Sequence, residues 1–395
     1  MGSNPSTQSL IPISLITGFL GSGKTTLLNH MVRQPALSDT LVIINELGAV
    51  SLDHLLVKHS REEMVSKVEG GCFCCTTRGD IQRTLREITW RFAREGRRRF
   101  NRVIIETTGL ADPTPILHTL MLDEFIAEHY RLDGIVTTVD SVNGMQTLDL
   151  YPEAVKQVAV ADRLILTKSD LSGEAKFSIL SNRLATLNPG ARQIQVMNGQ
   201  IDATQLLDLG LFSVDSKIPN VAQWLNAEKF RNNTKPSIRK FIFNPLRNSA
   251  RHRMTQKKPL SQAFFQNIYR HDAQIRSFCL IFDDPIDPDV FELWLGFLLD
   301  IKGTDVLRIK GIVNLANKAG PVVIHGVQHL FHPPVELAEW PSEDHRTRIV
   351  FITRVIDQKT IEHTFSFAKV AAARASAEGL VGQFVLHAVN SSTPK

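Results

Sequence analysis

Cysteine is scarce in this chain, with four residues in 395. That is too few for a disulfide framework in a protein of this size, so a reducing, cytoplasmic setting is expected. Long hydrophobic runs are absent: none approaches the roughly 18 residues of a membrane span. The opening MGSNPSTQSL has no apolar core of the kind a secretion signal needs, and its first nine residues read as a loose tail. Acidic residues are scarce in one stretch only. Residues 213–273 carry 12 Lys/Arg against 3 Asp/Glu, an excess of nine, while the whole chain has a net charge of +5. The rest of the chain is therefore near −4, and the high isoelectric point belongs to one segment. That segment has few aromatics arranged for base stacking, which argues against a nucleic-acid partner.

What is present is ordinary for a globular protein, 43% hydrophobic and 22% charged, with length for two or three domains. Short apolar runs alternate with helical patterns in the first half. ISLITGF (13–19), LVIINE (41–46), RVIIET (102–107), DGIVTTVD (133–140), RLILTK (163–168) and QIQVM (193–197) read as strands covered on both faces. The expectation is an α/β fold: a P-loop doubly wound, mostly parallel sheet, followed by a smaller α+β C-terminal domain. The boundaries are 1–212 for the first domain, 213–273 for a basic linker and 274–390 for the second domain. Within the last, RSFCLIF, DVLRIKGIVNL, VVIHGVQHLF and RIVFITRVI read as strands, with a capped helix after Asp287 and a terminal helix from Thr360.

GFLGSGKT (18–25) fits G-x-x-x-x-G-K-[ST] between a strand and a helix. Gly21 and Gly23 let the backbone curl so that consecutive N–H groups, with Ser22 between them, face a phosphate. Lys24 would lie along the β/γ-phosphates, Thr25 would bind Mg²⁺, and Thr26 continues the helix start whose dipole favours an anion. IIETTG places Glu106 at a strand end, where an acidic residue helps hold Mg²⁺ or its water, and Gly109 could sense the γ-phosphate. TKSD (167–170) ends the fifth strand. Asp170 there can accept two hydrogen bonds from guanine, and Lys168 would lie over the base. The usual guanine motif begins with Asn, so Thr167 is a departure, but GTP fits better than ATP.

Three of the four cysteines, Cys72, Cys74 and Cys75, fall in EGGCFCC (69–75). Three thiolates can reach one soft cation from a tight turn, while Zn²⁺ takes four ligands. Glu46, water or a partner's side chain could supply the fourth. An incomplete site suits a transient cargo better than a structural metal. Co²⁺, Cu⁺ and Ni²⁺ fit the same thiols, and Cys72 with Cys75 also satisfies the C-x-x-C spacing of redox pairs. Cys279, inside an apolar strand, reads as a packing residue.

Taken together, GFLGSGKTT, INELG, EGGCFCC, IETTGLADP and TKSD, in this order, resemble the CobW-type P-loop GTPases. VLRIKG, GVQHLF and RIVFITRVID resemble that family's C-terminal domain. The resemblance implies a slow GTPase and metallochaperone that uses GTP and Mg²⁺, binds Zn²⁺ or Co²⁺ at Cys72, Cys74 and Cys75, and delivers it to a client metalloprotein. Lys24, Glu46 and Glu106 are then the catalytic candidates, with Glu46 near the metal or Mg²⁺. Ala49 stands where many members have a second Glu, which removes one ligand, and no His-rich tract marks the domain junction. Two other functions fit the same motifs: a cobalt-handling protein of cobalamin biosynthesis, and a nucleotide-switched docking module that activates a metalloenzyme. Self-association is compatible with all three, and a membrane partner with none.

Two weaker features remain. His325, His329 and His332 read as surface histidines rather than a second metal site. RFAREGRRRFNR (91–102) reads as a solvated helix end, because cations suit a helix C-terminus.

Overall fold

Strand β1 (Ile11–Gly18) sends Ile13 and Leu15 into one apolar cluster and Ile16 into another on the opposite face. Strand β3 (Arg102–Glu106) repeats the split, with Val103 and Ile105 on the first face and Ile104 on the second. A strand apolar on both faces is stable only when both are covered. In the computed structural model, which describes residues 10–44, 78–93, 100–209, 225, 274–328, 330–331 and 334–377, that cover is helical.

The remaining strands of this layer are β2 (Thr40–Ile44), β4 (Tyr130–Asp140), β5 (Arg163–Thr167) and β6 (Arg192–Gln195). All pairings are parallel, in the order β2-β3-β1-β4-β5-β6. Helix α1 (Lys24–Met31) places Leu27 and Leu28 on the Ile16 face. Helices α2 (Arg78–Ala93), α3 (Thr114–Leu122) and α4 (Glu124–His129) cover the Leu15 face through Leu85, Leu117 and Ile126. Helices α5 (Gly144–Leu150), α6 (Pro152–Val160) and α7 (Glu174–Leu187) close over β4 and β5. The strand order reverses direction at β1, so its carboxyl end opens onto the crevice where ligands of such sheets bind. Among the described residues no helix is long and apolar enough to cross a membrane.

The second layer is antiparallel. Strands β7 (Ile275–Phe282), β8 (Val306–Val313), β9 (Val322–Val327), β10 (Leu330–Phe331) and β12 (Thr347–Arg354) run in the order β10-β9-β8-β12-β7, and β11 (Val335–Glu336) pairs with β9. Helices α8 (Pro288–Lys302) and α9 (Gln358–Ala377) cover one face, where Trp294 and Phe365 meet Phe351 and Ile309. Asp287 caps α8 by accepting from the N–H groups of Asp289 and Val290. The run VVIHGVQHLF is two strands rather than one, because Gln328 adopts φ 55° and a left-handed residue cannot continue a strand.

The other face of this second sheet lies against the first domain. Leu307, Ile312 and Val350 pack with Ala159 of α6 and with Leu225, the one described residue of segment 210–273. The remainder of the expected basic linker lies outside the described residues. Asp162, just before β5, is buried in this junction. Its carboxylate accepts from Arg308 (2.5 Å), Lys310 (2.6 Å) and the Ile135 N–H (3.0 Å). Burial alone would raise the Asp162 carboxyl, yet Arg308, Lys310 and His325 hold it well below the usual carboxylate range. Burial lowers the Lys310 ammonium to about 8 against the upward pull of Asp162.

Two residues differ from the expectation. His325 is not a surface residue: it is 5% exposed on β9, with Nε2 3.3 Å from Arg308. The domain contact covers it, and strand periodicity could not register that. Arg102 does not belong to a solvated helix end. It is buried and bonded to Asp133 and Asp208, joining β3 to β4 and to the chain beyond β6.

Candidate functional site

The phosphate loop is built by two strands gripping a glycine-rich turn. Gly18 ends β1 at φ 139°, and a Cβ there would lie 2.3 Å from Thr138 Oγ1 and 2.4 Å from the Thr138 carbonyl oxygen. Only glycine fits against β4 so closely. Gly23 caps α1 at φ 91° and lies over the Thr167 methyl of β5. Thr167 Oγ1 donates to the Ser22 carbonyl (2.7 Å), and the Ser22 hydroxyl meets Thr138 Oγ1 at 2.6 Å. The Ser22 side chain therefore faces the sheet, and its N–H turns back to the Phe19 carbonyl.

Lys24 is buried, with Nζ donating to the carbonyls of Gly18 (3.0 Å) and Phe19 (3.2 Å), so the ammonium lies across the loop. Thr25 is exposed at the start of α1, and its hydroxyl donates to Oε1 of the fully buried Glu106 at 2.8 Å. A hydroxyl and a carboxylate brought together at a helix N-terminus form an oxygen donor set that fits a hard divalent cation such as Mg²⁺. Thr26 is exposed beside them, with its carbonyl under Gly199. Gly109 is buried against the loop: a Cβ there would meet the Leu20 nitrogen at 2.6 Å.

Lys168 follows β5 in a left-handed conformation, φ 53°, and donates to the Gly21 carbonyl and to Asp140 Oδ2, both at 2.8 Å. Burial would raise the Asp140 carboxyl, but hydrogen bonds from Lys168 and from the N–H groups of Asn143 and Val142 hold it below its ordinary value. Asp170 is exposed at the turn beyond. A cavity of about 170 Å³ opens between this cluster and helices α5 and α6, lined among others by Phe19, Asp140, Asn143, Thr147 and Gln157.

The structure thus brings Gly21, Ser22, Gly23, Lys24, Thr25, Glu106, Gly109 and Lys168 to one end of the parallel sheet. Glu46, Cys72, Cys74 and Cys75 lie outside the described residues, as do His329 and His332. Among the described residues no three His, Cys, Asp or Glu side chains gather to hold a metal ion. Cys279 lies on β7 at the edge of the domain-junction cluster, a packing position. Sequence reasoning did not single out Asp140 or Gln157. The only signal for Asp140 is its place as the last residue of a strand ending at the crevice, and for Gln157 a polar residue on the apolar face of a short helix.

The nucleotide-binding domain model of the CobW/HypB/UreG family matches residues 12–195, and the C-terminal domain model of cobalamin synthesis protein cobW matches residues 275–368. The zinc chaperone YjiA of Escherichia coli (strain K12) is 29% identical over 356 residues, covering 90% of this chain and 98% of the relative. The zinc-regulated GTPase metalloprotein activator 1 of Schizosaccharomyces pombe is 33% identical over 214 residues, 52% of this chain and 51% of that protein. A solved structure of the Zn(II)-bound YjiA GTPase from E. coli superposes with a TM-score of 0.60 at 26% identity, covering 91% of this chain and 99% of that one.

Proposed function

The chain belongs to the CobW-type P-loop GTPase family and is a GTPase, and from that premise we propose that it is a metallochaperone whose bound nucleotide controls a thiolate zinc site. The observation that carries the nucleotide half of this reading is the hydrogen bond from Thr25 to Glu106 at the end of the phosphate loop that Lys24 crosses, all at the carboxyl end of the sheet. Lys24 and the loop N–H groups hold the β- and γ-phosphates of GTP, and the Gly109 N–H contacts the γ-phosphate. Thr25 and Glu106 would hold Mg²⁺, which when bound neutralises charge on the phosphates. Lys168, held by Asp140, covers the base, and Asp170 reads its edge. Glu46 and Glu106 are the candidates for orienting the attacking water.

Zinc is the cargo, taken by Cys72, Cys74 and Cys75 with Glu46 as the candidate fourth ligand, and the receiver is a client metalloprotein. Zinc is the metal in the names of the relatives. A γ-phosphate that orders a loop at one end of a sheet can reshape ligands carried on neighbouring loops. The coupling must be reciprocal: a nucleotide that tightens zinc must itself be tightened by zinc. The test is a Zn²⁺ titration with and without a non-hydrolysable GTP analogue, in the wild type and in Cys74→Ala. Wild-type affinity should depend on the analogue, and the variant should bind weakly in both states. Equal affinities in all four cases would sink the reading.

A further inference from the structure

Helix α6 grips the loop that carries Gly109 at two consecutive residues. Gln157, 1% exposed, donates its side-chain amide to the carbonyls of Gly109 (3.1 Å) and Ala111 (3.0 Å). Lys156 donates to Asp112 at 2.9 Å, and Asp112 in turn accepts from the N–H and hydroxyl of Thr114 at the start of α3. The loop is thereby held along its length from one helix. The helix is itself fixed to the sheet, since Thr137 Oγ1 on β4 donates to the Gln157 carbonyl at 2.8 Å.

Gln157 keeps an amide where an apolar residue would pack more simply. Its Oε1 is buried with no hydrogen-bond partner among the described residues. A methionine would fill nearly the same volume and remove that unpartnered acceptor, but it would leave the Gly109 and Ala111 carbonyls without this donor, so the glutamine is accounted for by what its amide holds. What the amide supplies is two donors at a fixed spacing, aimed at carbonyls on either side of Leu110. Gly109 has a glycine's conformational freedom, and those bonds remove it. The opposite side of the same residue is pressed against Leu20 of the phosphate loop.

We propose that Gln157 is a positioning residue for GTP hydrolysis: by holding the Gly109 and Ala111 carbonyls it aims the Gly109 N–H at the γ-phosphate without touching the nucleotide. The proposal rests on the reading of Gly109 as the γ-phosphate contact. It also gives the second domain a hold on that contact, because Ala159, two residues along α6, packs against Leu307 of β8.

The test uses the full chain with Gln157→Met. Affinity for GDP should stay within about twofold of wild type, because GDP has no γ-phosphate to sense. Affinity for a non-hydrolysable GTP analogue should fall to near that of GDP, and kcat should drop about 10- to 100-fold, the scale of an ångström-level misplacement. A purely structural role would weaken both nucleotides together, and that result overturns the proposal. Hydrogen exchange over residues 107–113 separates the two layers. If the wild type shows no extra protection with the analogue over GDP, the Gly109 reading itself falls. If that protection appears in the wild type and persists in the variant with kcat unchanged, only the role of Gln157 falls. Gln157→Asn keeps an amide too short to span both carbonyls and should give the same losses, which covers the case of an insoluble methionine variant.

Discussion

Thr25 Oγ1 donates to Glu106 Oε1 across 2.8 Å and joins the first turn of α1 to the end of β3. Strand β1 neighbours β3 in the sheet and delivers the phosphate loop that leads into α1, so this hydrogen bond ties the far end of the loop to the adjacent strand. Glu106 is fully buried. A buried carboxylate is kept only where partners offset its desolvation, and a cation held by the same two side chains would take over that role.

Thr25→Ala should therefore be a magnesium-dependent defect. In Mg²⁺ the affinity for GTP is expected to fall at least about tenfold, the equivalent of ~1.4 kcal/mol. In excess chelator the variant and the wild type should bind alike. Parallel titrations by fluorescent nucleotide give the answer, and an equal loss with and without Mg²⁺ would place Thr25 in the architecture of the loop instead.

Asp140→Ala should loosen Lys168. The ammonium would keep the Gly21 carbonyl and lose its charged partner, and such charge-assisted bonds contribute ~1.5–3 kcal/mol. Lys168 is partly exposed, so the lower end applies. GDP and GTP affinities should fall together by about tenfold, unlike the selective loss expected for Gln157→Met. Calorimetric titration of both nucleotides distinguishes the two patterns.

Gly18→Ala should disable the loop. The new methyl would meet both the hydroxyl and the backbone carbonyl of Thr138, on a backbone at φ 139° that side chains rarely adopt. A cost of about 3 kcal/mol or more is expected from strain and overpacking combined. Combining it with Thr138→Ala should recover little, because the carbonyl remains. Thermal melts of the single and double variants check this, and full recovery in the double variant would show that only the hydroxyl stood in the way.

These residues also show what could be read from the sequence and what could not. The phosphate loop was legible because its requirements are local: Gly18, Gly23, Lys24 and Thr25 act within one turn, and the flanking strand and helix announce themselves by periodicity. Glu106 was legible because it ends an apolar strand. Asp140 ends an apolar strand as well, but outside a recognised motif that position does not single it out, and neither it nor Gln157 carries a mark of its partner, Lys168 or Gly109. His325 and Arg102 were misjudged for the same reason, since their burial depends on a contact with another strand or the other domain. The break at Gln328 escaped because a glutamine, unlike glycine, gives no signal of a left-handed turn.

Asp162→Asn tests the domain junction and its electrostatics together. The carboxylate faces Arg308 and Lys310, with His325 behind Arg308 and Arg163 adjacent. Removing the anion leaves two cations buried against each other, and breaking a buried pair from one side costs about 3–5 kcal/mol. The dependence on pH follows from the shifts. Asp162 has a folded value below its unfolded one, so its stabilisation is fully present above about pH 4 and is lost as pH falls toward the folded value. On the alkaline side Lys310 is already lowered to about 8, so between there and its unfolded value the unfolded chain binds more protons and stability rises with pH. Without Asp162 the upward pull on Lys310 disappears, its value drops further, and the variant sheds the repelling charge at a lower pH than the wild type does. Denaturant unfolding of both proteins from pH 3 to 9 should give a stability gap that is widest near pH 5–6 and narrows toward both ends. A gap that stays constant across the range would mean that asparagine costs packing and hydrogen bonds alone, with no charge held at the junction.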